Sequence, residues 1–320
     1  MFQSYIHRCS LYNITMREND FIETIKNVIG DKYIGDDCAF LKDLGIVVSQ
    51  DSLVEDVHFS LEYTTPYKLG YKSAMVNISD ISASGGEGKY MTVALSLPKN
   101  TENDFVEEFY KGLNDACNGI EIIGGDITGS DKIMISVTII GTTNGRKISS
   151  RANAKEGQVV VTSGVHGSSA GGLKLLQENK NLSSNLVERH LMPKAQVEFS
   201  EKIAKNIKED YAMMDSSDGL ADALFKIAKS SDKTLVIDFE KILFDKELKE
   251  IFPDDYKNIM LYGGEDYQII ATVPEDFAKT YGLNIIGRVE TKIENTLVKI
   301  INFNNGELVI DNLEKCFNHF

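Results

Sequence analysis

The stretch NISDISASGG, residues 77–86, sets a single carboxylate, Asp80, among small and apolar residues that otherwise read as the packed face of a helix. An ionised carboxylate on such a face costs on the order of several kcal/mol unless it is paired or bound to a cation. Two readings follow. Either the face is less buried than Ile78, Ile81 and Ala83 suggest, or the charge has a partner.

Other acidic residues repeat the pattern. IGDDCAF (Asp36, Asp37), VVSQDSLVEDVHF (Asp51), IIGGDITG (Asp126) and MMDSSDGLAD (Asp215, Asp218) each set an Asp beside Gly or Ser, after an apolar strand or at a turn. Singly, each reads most simply as a turn, and SSDG as a helix N-cap. Together they place carboxylates where several can converge, and hard cations such as Mg²⁺ are held by carboxylate, hydroxyl and carbonyl oxygens.

The frame around them is mixed. Residues 46–49 and 132–142 read as strands, and 67–84 and 101–119 have helical spacing. The polar segment TTNGRKISSRANAKEGQ reads as a linker with a boundary near residue 148. Beyond it come a strand, QVVVTSG, and a Gly/Ser-rich loop into a helix, GVHGSSAGGLKLLQEN. A helix from Ser217-Asp218, an extended TLVIDF, and the turn YGGED into the strand YQIIATV follow. Pro193 marks a break between two helical segments. Both halves are α/β or α+β in pattern.

The chain of 320 residues, 42% hydrophobic and 26% charged, suits two folded domains, and its apolar runs are far too short to span a bilayer. A formal charge of −14 argues against a general nucleic-acid grip. Cys9, Cys38, Cys117 and Cys316 show no metal-binding spacing and read as free thiols. Residues 1–15 are given no role; they read neither as a secretory signal nor as a transit peptide, so the expectation is a cytoplasmic protein. There is no P-loop, no GxGxxG between strand and helix, no HRD or DFG set and no GxSxG elbow. GVHGSSAGG could offer backbone N–H groups to an anion, or be a tight packing turn.

Taken in order, IGDDCAFL, SQDSLVEDVHF, KSAMVNISDISASGG with MTVALSLP, IIGGDITG, SRANAKEGQVVVTSG with SSAGGL, MDSSDGLADAL, LYGGEDYQIIATVP and the closing NHF resemble the thiamine-monophosphate kinase family. That family lies in the superfamily of aminoimidazole ribonucleotide synthetase and selenophosphate synthetase. The resemblance implies a two-domain synthetase-like fold: residues 16–148 bind ATP and metal and pair their sheet across a homodimer, and residues 149–320 form the second domain. It implies in-line transfer of the γ-phosphoryl of ATP to thiamine monophosphate, with no phosphoenzyme and no general base. By position, Asp37, Ser49, Gln50, Asp51, Asp80, Asp126, Asp215 and Asp218 would form the Mg²⁺ cage, with Asp51, Asp126 and Asp215 essential to transfer. Tyr110, Gly125, Arg151 and Ser217 would contact ATP. His58, Glu265 and Phe320 would hold the thiamine moiety, with no nucleic-acid or membrane partner.

Two stretches depart from the family pattern. Gln50 stands where Thr usually precedes Asp51, and Ile127 and Gly129 interrupt the usual Thr-Thr-Arg, so a basic contact to the phosphates is either lost or supplied by Lys132. The alternatives are a non-catalytic Mg²⁺–nucleotide-binding protein and another ATP-dependent synthetase of the superfamily.

Overall fold

The computed structural model describes residues 18–317. After helix α1 (Glu18–Ile29), five strands form the first sheet: β1 (Ala39–Leu41), β2 (Ile46–Val54), β3 (Glu87–Leu97), β4 (Glu121–Gly129) and β5 (Met134–Thr142), in the order β1-β2-β5-β3-β4. Helices α2 (Pro66–Ser84) and α3 (Asn103–Cys117) connect them. Alternation along the strands turns Val47, Leu53, Met91, Val93, Leu95, Ile135, Val137 and Ile139 onto one buried face with α2 and α3. The opposite face, with Gln50, Ser52 and Ala94, is exposed, and β4 pairs with β3 alone at the sheet edge.

The two helices approach closely because each has a glycine at the crossing. A Cβ on Gly70 would lie 1.9 Å from the Phe109 carbonyl oxygen, and one on Gly112 would lie 1.9 Å from that of Tyr67. Thr65 caps α2 through its side chain, and Gly85, at φ 84°, ends it in the left-handed region.

The second sheet has seven strands: β6 (Val159–Thr162), β7 (Met213–Asp215), β8 (Lys233–Asp238), β9 (Ile269–Val273), β10 (Asn284–Thr291), β11 (Val298–Phe303) and β12 (Gly306–Ile310). Their order is β12-β11-β8-β10-β6-β9-β7, antiparallel except for β11 beside β8. Helices lie on both faces. On one side are α4 (Ser168–Gln177), α5 (Asn185–Leu191), α7 (Leu220–Ser231), α8 (Lys246–Ile251) and α9 (Tyr256–Tyr262); on the other are α6 (Val197–Asn206) and α10 (Glu275–Tyr281). The central strands β6 and β9 are accordingly buried at every residue, which is why they read as unbroken apolar runs. Among the described residues no helix is long and apolar enough to cross a membrane.

Helix α2 belongs to both units. Its buried residues run almost all round it, and beyond the first sheet it meets β7 and α6. Ser200 donates to the Ser82 carbonyl, and Ser149 to that of Ala83 at 2.9 Å. The face around Asp80 is therefore packed: Ile78, Ile81 and Ala83 are buried.

Two expectations are corrected. β2 runs on to Val54, so Asp51 lies within the strand rather than at a loop tip. SSDG does not cap a helix; α7 begins at Leu220 after Gly219, and Asp218 is ion-paired with Lys226 at 3.2 Å. The segment between the sheets is packed: Arg146 and Ser149 are buried and residues Arg151–Asn153 form a 3-10 turn. Pro193 does fall between α5 and α6.

Candidate active site

Four carboxylates meet where the two sheets join, each delivered by a different element. Asp37 comes from the loop before β1, Asp51 from β2, Asp80 from the last turns of α2, and Asp215 from the end of β7. Oxygens of Asp37, Asp80 and Asp215 all lie within 4.8 Å of one another. Asp215 is buried; Asp37 and Asp80 keep partial access.

The surroundings keep this group in place without neutralising it. Ser49, two residues before Asp51 on the inward face of β2, donates to Asp80, and Ser79 donates to Asp215 at 2.5 Å. Asn77 accepts the Asp51 N–H at 3.1 Å and anchors itself to the Ser73 carbonyl. Arg151 bonds Asp37 through its guanidinium at 2.7 Å, and its N–H donates to Asp36 at 2.7 Å. Burial, then Asp51, Asp215 and Asp37, push the Asp80 carboxyl well above the usual range. Burial and Asp37 push Asp215 up to about 7. Carboxylates raised by one another in a hydroxyl-lined pocket match the donor set of a hard divalent cation. Mg²⁺ therefore fits Asp37, Asp80 and Asp215, with Asp51 alongside.

A cavity of about 1360 Å³ opens beside the cluster. Asp51, His58, Ser217, Asp218, Glu265 and Tyr267 all line it. Its walls are locked loop to loop. Glu265 donates its N–H to the Ser217 carbonyl at 2.7 Å, and a Cβ on Gly264 would lie 2.6 Å from that same oxygen. His58 accepts the Val54 N–H through Nδ1 at 3.0 Å and faces Phe317 with ring centroids 6.4 Å apart.

Other expected residues lie elsewhere. The Gln50 side chain projects from the opposite face of β2, where its amide bonds Ser136 and Thr138 of β5. Tyr110 packs on the first core, edge-on to Phe109, and is not among the residues lining the cavity. Gly125 and Asp126 sit exposed on edge strand β4, outside the three-carboxylate group. Asp218 also stands apart from that group. Lys132 pairs with Asp56 at 3.0 Å on the cavity side. Phe320 lies outside the described residues.

The anion reading of GVHGSSAGG is overturned. The N–H groups of Gly167 and Ser169, at the start of α4, already bond the Asp266 carboxylate at 2.5 and 2.8 Å. Lys72, Ser79, Asn77, His190 and Tyr267 were not foreseen as part of this region. Only Ser79 carried a sequence signal, its place beside Asp80.

Comparison with known proteins gives this geometry a class. Residues 35–143, which hold the first sheet, match the N-terminal domain of AIR synthase related proteins. The thiamine-monophosphate kinase of Aquifex aeolicus is 36% identical over 285 residues, 85% of this chain and 91% of the relative. That of Bacillus subtilis is 32% identical over 318 residues, 93% of this chain and 96% of the relative. The solved structure of AaThiL complexed with AMPPCP and TMP aligns with a TM-score of 0.86 at 33% identity, covering 98% of this chain and 100% of that one. The chain belongs to the thiamine-monophosphate kinase family.

Proposed function

We propose that this protein transfers the γ-phosphoryl of ATP to thiamine monophosphate, giving thiamine diphosphate and ADP. The observation that carries the reading is the cluster of Asp37, Asp80 and Asp215, beside which Asp51 and Ser217 line a cavity of about 1360 Å³. The similarity to AaThiL, solved with an ATP analogue and TMP, supplies the substrate pair.

Asp37, Asp51, Asp80 and Asp215 would hold Mg²⁺; when bound, it neutralises phosphate oxygens and aligns donor with acceptor. The chain's own part is positioning. Ser49 and Ser79 fix the faces of Asp80 and Asp215, and Arg151 fixes Asp37. Ser217, lining the cavity next to the cluster, would meet the nucleotide, and His58 and Glu265, lining the same cavity, the thiamine moiety. Gly125 stays in the proposal as an ATP contact, and Asp126 and Asp218 as further metal ligands. The acceptor is an ionised phosphate, so proton removal by a base is not required.

The same proposal includes a division near residue 148 and a homodimer formed through the first sheet. Its support is the separate sheets and the exposed edge strand β4, where Ile123 and Ile127 are 53% and 64% exposed. A cytoplasmic location completes it, supported by the free, buried Cys38, Cys117 and Cys316.

The test is incubation with ATP, Mg²⁺ and thiamine monophosphate, with thiochrome detection of the products. Thiamine diphosphate formed by the native chain and lost in Asp51→Ala is expected. ATP binding with no product would favour a non-catalytic binding protein instead.

A further inference from the structure

Lys72 lies on α2 about two turns, or about 12 Å, before Asp80. It is 4% exposed, and a buried ammonium needs an anionic partner. That partner is Glu265, with Nζ 2.8 Å from Oε1. The other carboxylate oxygen, Oε2, lies 3.3 Å from Nδ1 of buried His190 on α5. His190 is held in turn by Ser169 at 3.0 Å. Glu265 also has a positive φ of 63°, unusual for a residue with a side chain, so its backbone conformation is imposed by the contacts around it.

We propose that Lys72 is a positioning residue, and that with His190 it fixes the Glu265 carboxylate against the cavity so that it meets the cationic part of the acceptor substrate. This rests on the function proposed above. The surrounding charges agree with it. Burial works to raise the Glu265 carboxyl, but the Lys72 ammonium overcomes it and holds it below the usual range. Burial and Lys72 bring His190 down to about 3, so it stays neutral near pH 7. Because α2 carries both Lys72 and Asp80, one rigid element spans the acceptor wall and the metal cluster.

The test compares Lys72→Met, Glu265→Gln and the double variant with the native chain, measuring KM for thiamine monophosphate, KM for ATP, kcat and Tm. Lys72→Met should raise KM for thiamine monophosphate roughly tenfold, the scale of losing a residue that orients a ligand-binding group, while KM for ATP stays within about twofold. The double variant should bind no worse than Glu265→Gln alone, because Lys72 acts through Glu265. If Lys72→Met does not fold, the double variant, which buries no unpaired charge, still decides the matter against Glu265→Gln. A double variant markedly worse than Glu265→Gln, or equal rises in both KM values, would overturn the inference while leaving the kinase reading intact. A native chain that makes no thiamine diphosphate would overturn both.

Discussion

Asp215 and Asp266 are both buried, and both carboxyls are pushed up to about 7, yet they do opposite work. Asp266 sits at the start of α4 and is answered by the N–H groups of Gly167 and Ser169. The fold itself supplies its counter-dipole. Asp215 has Ser79 and the more distant Arg151 on its side, but faces Asp37 and Asp51 as well. A raised carboxyl surrounded by donors is structural; one surrounded by other carboxylates is incomplete without a cation.

The sharpest way to break this contrast is to neutralise each residue in turn. Asp215→Asn should lower kcat on the order of 100-fold or more, yet leave Tm unchanged or raised, because it relieves repulsion at nearly constant volume. Asp266→Ala should cost about 3 kcal/mol in denaturant unfolding, because it strands two helix N–H groups. If both variants lost stability and neither lost activity selectively, the two sites would be alike and the contrast would fail.

Protons give a second handle, with the sign set by the direction of shift. An Asp ordinarily near 3.8 and held up to about 7 keeps a proton in the folded chain that the unfolded chain releases. Stability from such a group is therefore lost as pH rises through that window. Without Mg²⁺, Tm should fall on the order of 5 °C between pH 5 and 8. Added Mg²⁺ should restore more of it at pH 8 than at pH 6, because the cation competes with the proton for Asp215. In Asp215→Asn the Mg²⁺ effect should vanish, while the decline due to Asp266 remains. A Mg²⁺ effect surviving in Asp215→Asn would place the cation elsewhere.

A smaller effect separates ligand from support. Ser79→Ala removes the donor to Asp215 without touching the carboxylates, and should raise the Mg²⁺ concentration for half-maximal activity roughly tenfold. An unchanged Mg²⁺ requirement would mean that Ser79 merely fills space.

The same contrast explains what could be read from the residues alone. Asp37, Asp51, Asp80 and Asp215 were legible because each is a charge set among small or apolar neighbours, a local anomaly visible in one dimension. Asp266 was not; it reads as part of the YGGED turn, and its partners lie almost a hundred residues away at the start of α4. Lys72 and His190 were missed for a related reason. Each looks like a surface residue on a helix, and only the packing of α2 against the second unit buries them. The strands and principal helices were legible from period, but the start of α7 was not, because Ser217 and Asp218 are spent on the cavity wall rather than on a cap.

The smallest expected effect tests the alternation of β2, on which the cluster depends. Ser49 and Asp51 point inward with Val47 and Leu53, so Gln50 must point outward, and its amide is bonded to Ser136 and Thr138. Gln50→Ala therefore removes nothing from the carboxylate group, and kcat/KM should stay within about twofold of native. Ser49→Ala, one residue away, removes the donor to Asp80 and should cost clearly more. A residue slip of β2 would exchange the two outcomes, because every side chain on the strand would change face. Gln50→Ala losing more activity than Ser49→Ala would thus show that the strand's register, and with it the position of Asp51, is wrong by one residue. The reverse order ties the departure at Gln50 to the exposed face of the first sheet, away from the carboxylate group.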